Sequence, residues 1–126
     1  MLRLLPRLLV GALGVLALIG ALRIWIDPAI PAATLGLSPI GDLGLATLRA
    51  DVGGFFAGMG AFALAAAIRN DRRLVTAPLV LVSLALTGRL ITAGIEGLAP
   101  EMVLPITVEA VLAVLLALGR RTLGTR

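Results

Sequence analysis

The stretch LLVGALGVLALIGALRIWI, from Leu8 to Ile26, is apolar throughout except for Arg23. A helix that crosses ~30 Å of hydrocarbon at ~1.5 Å per residue needs ~20 mostly apolar residues, so this stretch predicts a membrane-spanning helix. Arg3 and Arg7 before it would also suit a cleaved signal peptide, but the run is longer than a signal core and no small-residue cleavage site follows directly. We therefore expect a retained helix with Trp25 as an interfacial anchor.

Three more apolar segments follow, at residues 45–68, 74–95 and 102–118. Short connections, RNDRR and EGLAPE, join the last three segments and favour antiparallel neighbours. The proline- and glycine-rich connection DPAIPAATLGLSPIGDLG excludes a continuous helix and indicates an ordered or partly re-entrant loop. Pro105 is expected in the first turn of the last helix, where a missing backbone donor is tolerated.

These segments predict an all-α fold, a transmembrane four-helix bundle that forms one domain over residues 1–126. The spans are expected at residues 8–26, 45–68, 74–95 and 102–118. Hydrophobic residues make up 60% of the chain and charged residues only 14%, and a soluble domain of this size could not hide that much apolar surface. Lipid removes the difficulty, because apolar side chains can then face outward.

The residue types that are missing exclude several functions. The chain has no His, Cys or Tyr, and every basic residue is Arg. Disulfides, zinc, haem and iron–sulfur sites, catalytic triads, cysteine nucleophiles and lysine Schiff bases are therefore not expected, and we predict no cofactor and no metal. The net charge of +4 does not indicate nucleic-acid binding, because the arginines stand at the ends of apolar segments.

The arginines also predict the orientation. Eight of them occupy the N-terminus, the middle turn and the C-terminus, where the only acid is Asp71: Arg3, Arg7, Arg69, Arg72, Arg73, Arg120, Arg121 and Arg126. The rest of the chain holds three arginines and six acids. Arginine-rich short loops stay on the cytoplasmic side, so an even number of helices places both termini there.

Ionisable residues inside the spans are the candidate functional residues, because each costs roughly 2.5–3.5 kcal/mol in a bilayer unless it has a partner. Counted from the cytoplasmic arginines, the heights are ~16 Å for Glu109, ~24 Å for Arg23 and Arg89, ~27 Å for Asp51 and ~30 Å for Arg49. We expect a buried polar cluster in the outer half of the bundle, open to the exterior, that serves as a ligand site or an ion-pair lock. Its members would be Arg49, Asp51, Arg89 and Glu109, with Arg23 and Glu96 as further candidates.

The pairing within this cluster follows from side-chain length. Arg23 and Arg49 have long stems that reach the headgroups, and Arg23 can pair with Asp27 one turn later. Asp51 is too short and Glu109 too deep to do the same. Arg89 lies between them in height, so we predict an Arg89–Glu109 or an Arg89–Asp51 pair.

Small residues in the second segment predict close helix packing. Gly53, Ala57, Ala61 and Ala65 form one row at spacing four, and Gly54 with Gly58 forms a GxxxG pair. Ala17 and Ala21 form a similar pair in the first segment. The dense small-residue face predicts that the second segment sits centrally.

Several motifs follow one another along the chain: LRADVGGFF from Leu48 to Phe56, GRL from Gly88, EG at Glu96, the loop proline Pro100, and Pro105 followed by Glu109 in the last helix. This pattern resembles a bacterial four-helix membrane family known as a domain of unknown function, with DoxX-like relatives. The resemblance covers nearly the whole chain and implies a multi-pass protein of the bacterial inner membrane. It implies no activity. The acid before the glycine is commonly Asp in that family, whereas this chain has Glu96.

Three functions remain open at this point. The first is a non-enzymatic module that binds a lipid or small amphiphile, or an accessory subunit of a membrane complex. The second is a proton-coupled small transporter, supported by Glu109 near the midplane and expected to need a homodimer. The third is an intramembrane enzyme with Asp51 and Glu109 as acid and base. The expected partners are the lipid bilayer, a small hydrophobic ligand and a second copy or larger complex.

Overall fold

The computed structural model describes residues 4–125, and this part of the chain contains helices but no strands. The helices are α1 (Leu4–Ile26), α2 (Ala29–Thr34), α3 (Gly41–Arg69), α4 (Arg72–Glu96) and α5 (Pro100–Thr122). All but the short α2 are long and apolar enough, by length and composition, to cross a membrane. The prediction of an all-helical chain with four long apolar helices is therefore confirmed.

The helices extend beyond the apolar segments that predicted them. α1 and α3 each begin four residues earlier than predicted, and α5 begins at Pro100 rather than near residue 102. Pro100 takes the first-turn position that tolerates a proline. The expectation for Pro105 was therefore wrong, because this residue lies inside the helix and its ring nitrogen cannot donate to the carbonyl of Glu101.

The connection between α1 and α3 contains more helix than the sequence predicted. It contains α2, which starts where Asp27 Oδ1 accepts a hydrogen bond of 3.2 Å from the backbone N–H of Ala29. Gly36 ends this helix in the left-handed region, with φ of 72°. A second left-handed glycine, Gly41 with φ of 60°, begins α3. The dipeptide Asp27–Pro28 is a helix-start signal that could have predicted α2.

The four long helices form a closed ring of neighbours. α1 packs against α3 and α5, and α4 packs against the same two helices. The contact between α1 and α3 is the most extensive in the ring. The prediction that α3 sits centrally was wrong in that α3 has two long neighbours, as each of the other long helices does. The buried core includes Val10, Ala17, Met59, Ala63 and Leu116.

α1 and α3 approach each other closely at Gly14 and Gly60. A Cβ atom placed on Gly14 would lie 2.6 Å from Leu64 N and 2.9 Å from Gly60 O. The predicted small-residue rows are only partly correct. Ala17, Ala21 and Gly53 are buried, but Ala61 is exposed and a Cβ on Gly54 or Gly58 would meet open space. α3 carries small residues all around its axis, so spacing alone did not select the contact face.

The described parts of the three arginine-rich stretches meet at one end of the bundle, whereas Arg3 and Arg126 lie outside the described residues. Arg7 donates to the last carbonyls of α3, through Nε to Ala67 O at 2.6 Å and through Nη2 to Ile68 O at 3.1 Å. At the same end, the N–H of Arg72 donates to Gly124 O at 2.9 Å. These contacts join the first helix, the middle turn and the C-terminal segment, as the even-numbered topology requires.

Candidate functional site

Arg89 and Glu109 form an ion pair between α4 and α5. Arg89 Nε donates to Glu109 Oε1 at 2.8 Å, and the two side chains are 33% and 18% exposed. This confirms the first of the two predicted pairings. Glu109 Oε2 is buried and has no hydrogen-bond partner among the described residues, so only half of the carboxylate is satisfied. No other ion pair forms within residues 4–125.

Arg49 lies elsewhere, in a reciprocal contact with Trp25. Arg49 Nε donates to Trp25 O, and Trp25 Nε1 donates to Arg49 O, both at 3.0 Å. Trp25 is in the last turn of α1, where backbone carbonyls lack helical partners. Arg49 therefore caps α1 and joins its end to α3.

A π-helical turn, Leu48–Gly53, holds this contact in place. It contains Arg49 and Asp51 and interrupts the α-helical register of α3. π turns inside α-helices are uncommon and are often found at functional sites. Gly53, the last residue of the turn, faces Trp25: a Cβ there would lie 2.5 Å from Trp25 Nε1.

We expect Gly53→Ala to break the Trp25–Arg49 contact, because the added methyl group occupies the place of the indole N–H. Trp25 is the only tryptophan, so its fluorescence reports this change without labelling. The expected result is an altered emission maximum and greater quenching by a soluble quencher. Gly54→Ala is the matched control, since its Cβ would meet open space. Equal spectra for the two variants would show that Gly53 does not hold the indole.

The other predicted site residues are separate from the ion pair. Asp51 and Glu96 are exposed, and neither makes a side-chain hydrogen bond or ion pair in the described part of the chain. The expected Arg23–Asp27 pair does not form either, because Asp27 instead uses Oδ1 to hold the start of α2. The four main candidates thus lie in two places, Arg89 with Glu109 and Arg49 beside Asp51, rather than in one buried cluster.

A groove that the sequence did not predict lies between the end of α1, α2 and α3. Its volume is about 420 Å³, within the ~300–1,000 Å³ usual for small-molecule sites. The walls are mainly apolar and are formed by Gly20, Ile24, Ile30, Pro31, Leu35 and Phe56. The polar lining consists of Arg23, Asp27 and Thr34. An elongated apolar molecule with a charged end matches this distribution.

No protein-family model, curated protein or solved structure matches this chain. The resemblance to the four-helix bacterial family therefore rests on the quoted motifs alone. In the structure LRADVGGFF contains the π turn and the Trp25–Arg49 contact, and Arg89 and Glu109 of two other motifs form the ion pair, whereas Glu96 makes no side-chain hydrogen bond or ion pair in the described chain.

Proposed function

We propose that this protein is a multi-pass membrane protein that binds a phospholipid-like amphiphile in the groove between α1 and α2. The observation that carries the proposal is the groove itself, apolar along its length and charged at Arg23 and Asp27. The motif resemblance supports a place in the bacterial inner membrane. The ligand would bind in the leaflet opposite the arginine-rich end.

The outer surface of the bundle supports the membrane placement. Large apolar side chains face outward on all four long helices, including Leu16 (69% exposed), Phe62, Leu84 and Leu104 (72% exposed). A monomeric soluble protein rarely exposes continuous apolar surface on this scale. In a bilayer the same side chains contact acyl chains and need no partner.

The arginine-rich end supports the orientation. Arg7, Arg69, Arg72, Arg120 and Arg121 all belong to the end where the N-terminal helix, the middle turn and the C-terminal segment meet. By the positive-inside rule this end is cytoplasmic. The groove lies at the other end of α1, and so in the outer leaflet.

The charges at the groove specify the head of the amphiphile. Arg23 has no acceptor among the described residues, and its guanidinium is suited to a phosphate. Asp27 has one oxygen engaged with Ala29 N, which leaves the other to accept from an ammonium group. A zwitterionic phospholipid satisfies both charges, with its phosphate at Arg23 and its amine at Asp27.

We expect Gly20→Leu to reduce phospholipid retention by about tenfold, because overpacking a site costs roughly 1–3 kcal/mol. Gly20 lines the groove and a Cβ there would lie 3.7 Å from Phe56 Cδ1, so a leucine adds volume to the groove wall. The measurement is the amount of phospholipid bound per protein after purification in mild detergent, by mass spectrometry of the intact complex. Gly58→Leu is the matched control, because that position faces open space. Unchanged retention in both variants would contradict the proposal.

The charged end is tested in the same assay. Arg23→Gln should weaken retention of every phospholipid, since a charge-assisted hydrogen bond contributes about 1.5–3 kcal/mol. Asp27→Asn should instead shift the preference from zwitterionic toward anionic headgroups, because it removes the only negative charge in the groove. Unchanged retention in Arg23→Gln, together with an unchanged lipid composition in Asp27→Asn, would exclude recognition of the headgroup.

The structure gives less support to the other functions. An intramembrane acid–base enzyme was expected to use Asp51 with Glu109, but no hydrogen bond joins them and Asp51 is exposed. A proton-coupled carrier would need Glu109 to change partners. Its Oε1 is held by Arg89, and only Oε2 lacks a partner in the described chain.

A further inference from the structure

Three arginines converge on a cleft at the opposite end of the bundle from the groove. Arg72 comes from the first turn of α4, and Arg120 and Arg121 come from the last turn of α5. The cleft between them has a volume of about 580 Å³, and Leu79 and Ala117 form its apolar wall. A second groove of about 390 Å³ shares Arg72 and Arg121 and continues along the C-terminal segment.

These arginines have no counter-charge in the described part of the chain. None of their guanidinium groups makes a hydrogen bond or an ion pair there. The nearest acid in sequence is Asp71, whose Oδ1 accepts from the backbone N–H of Arg73 at 2.9 Å. Three positive charges therefore face one cleft in which no lining residue is acidic.

The apolar wall extends from the arginines toward the middle of the bundle. Leu79 follows Arg72 by seven residues, and Ala117 precedes Arg121 by four. At ~1.5 Å per residue these side chains lie about 10 Å and 6 Å farther along their helices. A ligand with a phosphate at the arginines and an acyl chain beside Leu79 and Ala117 matches both parts of the cleft.

We propose that this cleft binds the phosphate headgroup of an anionic phospholipid from the cytoplasmic leaflet. Basic pockets between membrane helices on this side are suited to such headgroups, and arginine binds phosphate through paired donors. The proposal uses the same membrane orientation as the proposed function but does not depend on the outer groove. The two sites differ in leaflet and in headgroup charge.

The test compares two variants that lose the same charge. The protein is mixed with equal amounts of phosphatidylethanolamine and phosphatidylglycerol in detergent, and the bound lipid is read by mass spectrometry of the intact complex. The Arg72→Gln/Arg121→Gln variant should lose about tenfold in phosphatidylglycerol binding relative to the wild type. The control Arg69→Gln/Arg73→Gln changes two arginines outside the cleft and should bind nearly as the wild type does.

Equal losses in the two double variants would show a general effect of surface charge and would overturn the site. Ala117→Leu tests the apolar wall without altering charge, and it should also reduce phosphatidylglycerol binding. Excess inorganic phosphate separates the two sources of a phosphate group. If it displaces the lipid fully, the cleft recognises free phosphate and the proposal is wrong; continued lipid binding supports it.

Discussion

Gly14→Ala and Gly60→Ala should each destabilise the bundle strongly, although alanine is a better helix former than glycine. Each added methyl group meets the backbone of the facing helix. A Cβ on Gly14 would lie 2.6 Å from Leu64 N, and a Cβ on Gly60 would lie 2.8 Å from Gly14 O. Backbone atoms cannot rotate away as a side chain can, so α1 and α3 must separate. Overpacking of this kind costs about 1–3 kcal/mol, and the lost contacts around Ala17 and Ala63 add to it.

Each of these variants has a matched control in the same helix. Gly20→Ala in α1 places its Cβ in ordinary contact at 3.7 Å, and Gly58→Ala in α3 meets open space. Both controls should be neutral or up to ~1 kcal/mol more stable, from helix propensity alone. The measurement is thermal unfolding in detergent, followed by circular dichroism. Equal stability of Gly14→Ala and Gly20→Ala would show that α1 and α3 do not approach each other closely at Gly14.

The second large effect concerns the ion pair, and it should be asymmetric. Arg89→Met leaves the Glu109 carboxylate largely buried with no partner, which we expect to cost about 3 kcal/mol or more. Glu109→Leu leaves Arg89, which is one-third exposed and has a long stem that can carry its charge away from the apolar contact between α4 and α5. The cost of Glu109→Leu should therefore be smaller, about 1–2 kcal/mol.

The double variant Arg89→Met/Glu109→Leu completes the comparison. Because it leaves no unpaired charge between α4 and α5, it should be more stable than Arg89→Met alone. Unfolding of all three variants in the same detergent measures these differences. Equal destabilisation by Arg89→Met and Glu109→Leu would mean that Glu109 is as well solvated as Arg89, against its exposure of 18%.

The sequence predicted the Arg89–Glu109 pair as one of two pairings, but it did not predict that the pair is separate from Arg49 and Asp51. Helix height alone placed Arg89 within reach of Glu109, and the structure joins them at 2.8 Å. Height did not separate Asp51 from the pair, because height does not say in which direction a side chain leaves its helix, and Asp51 is exposed. Asp51 also lies in the π turn Leu48–Gly53, which no residue pattern in LRADVG predicted.

The sequence analysis also did not predict the groove between α1 and α2, because the groove depends on how separate stretches pack together. Its lining comes from residues 20–27, residues 30–35 and Phe56. The periodicity of one segment does not predict that these three parts of the chain lie side by side. The Asp27–Pro28 signal could have predicted α2, but not that α2 folds back beside α1. The arginine cleft likewise joins Arg72 to Arg121 across α4 and α5.

The sequence by itself determined that four helices are long and apolar enough to span a bilayer, and that arginines collect at one end. Those features depend on the length and composition of single segments, which do not depend on how the helices pack against one another. Only the tertiary structure decided which face of each helix is in contact. Small residues surround α3 on every side, so the choice of Gly60 over Gly58 depends on how the backbone of α1 fits against it.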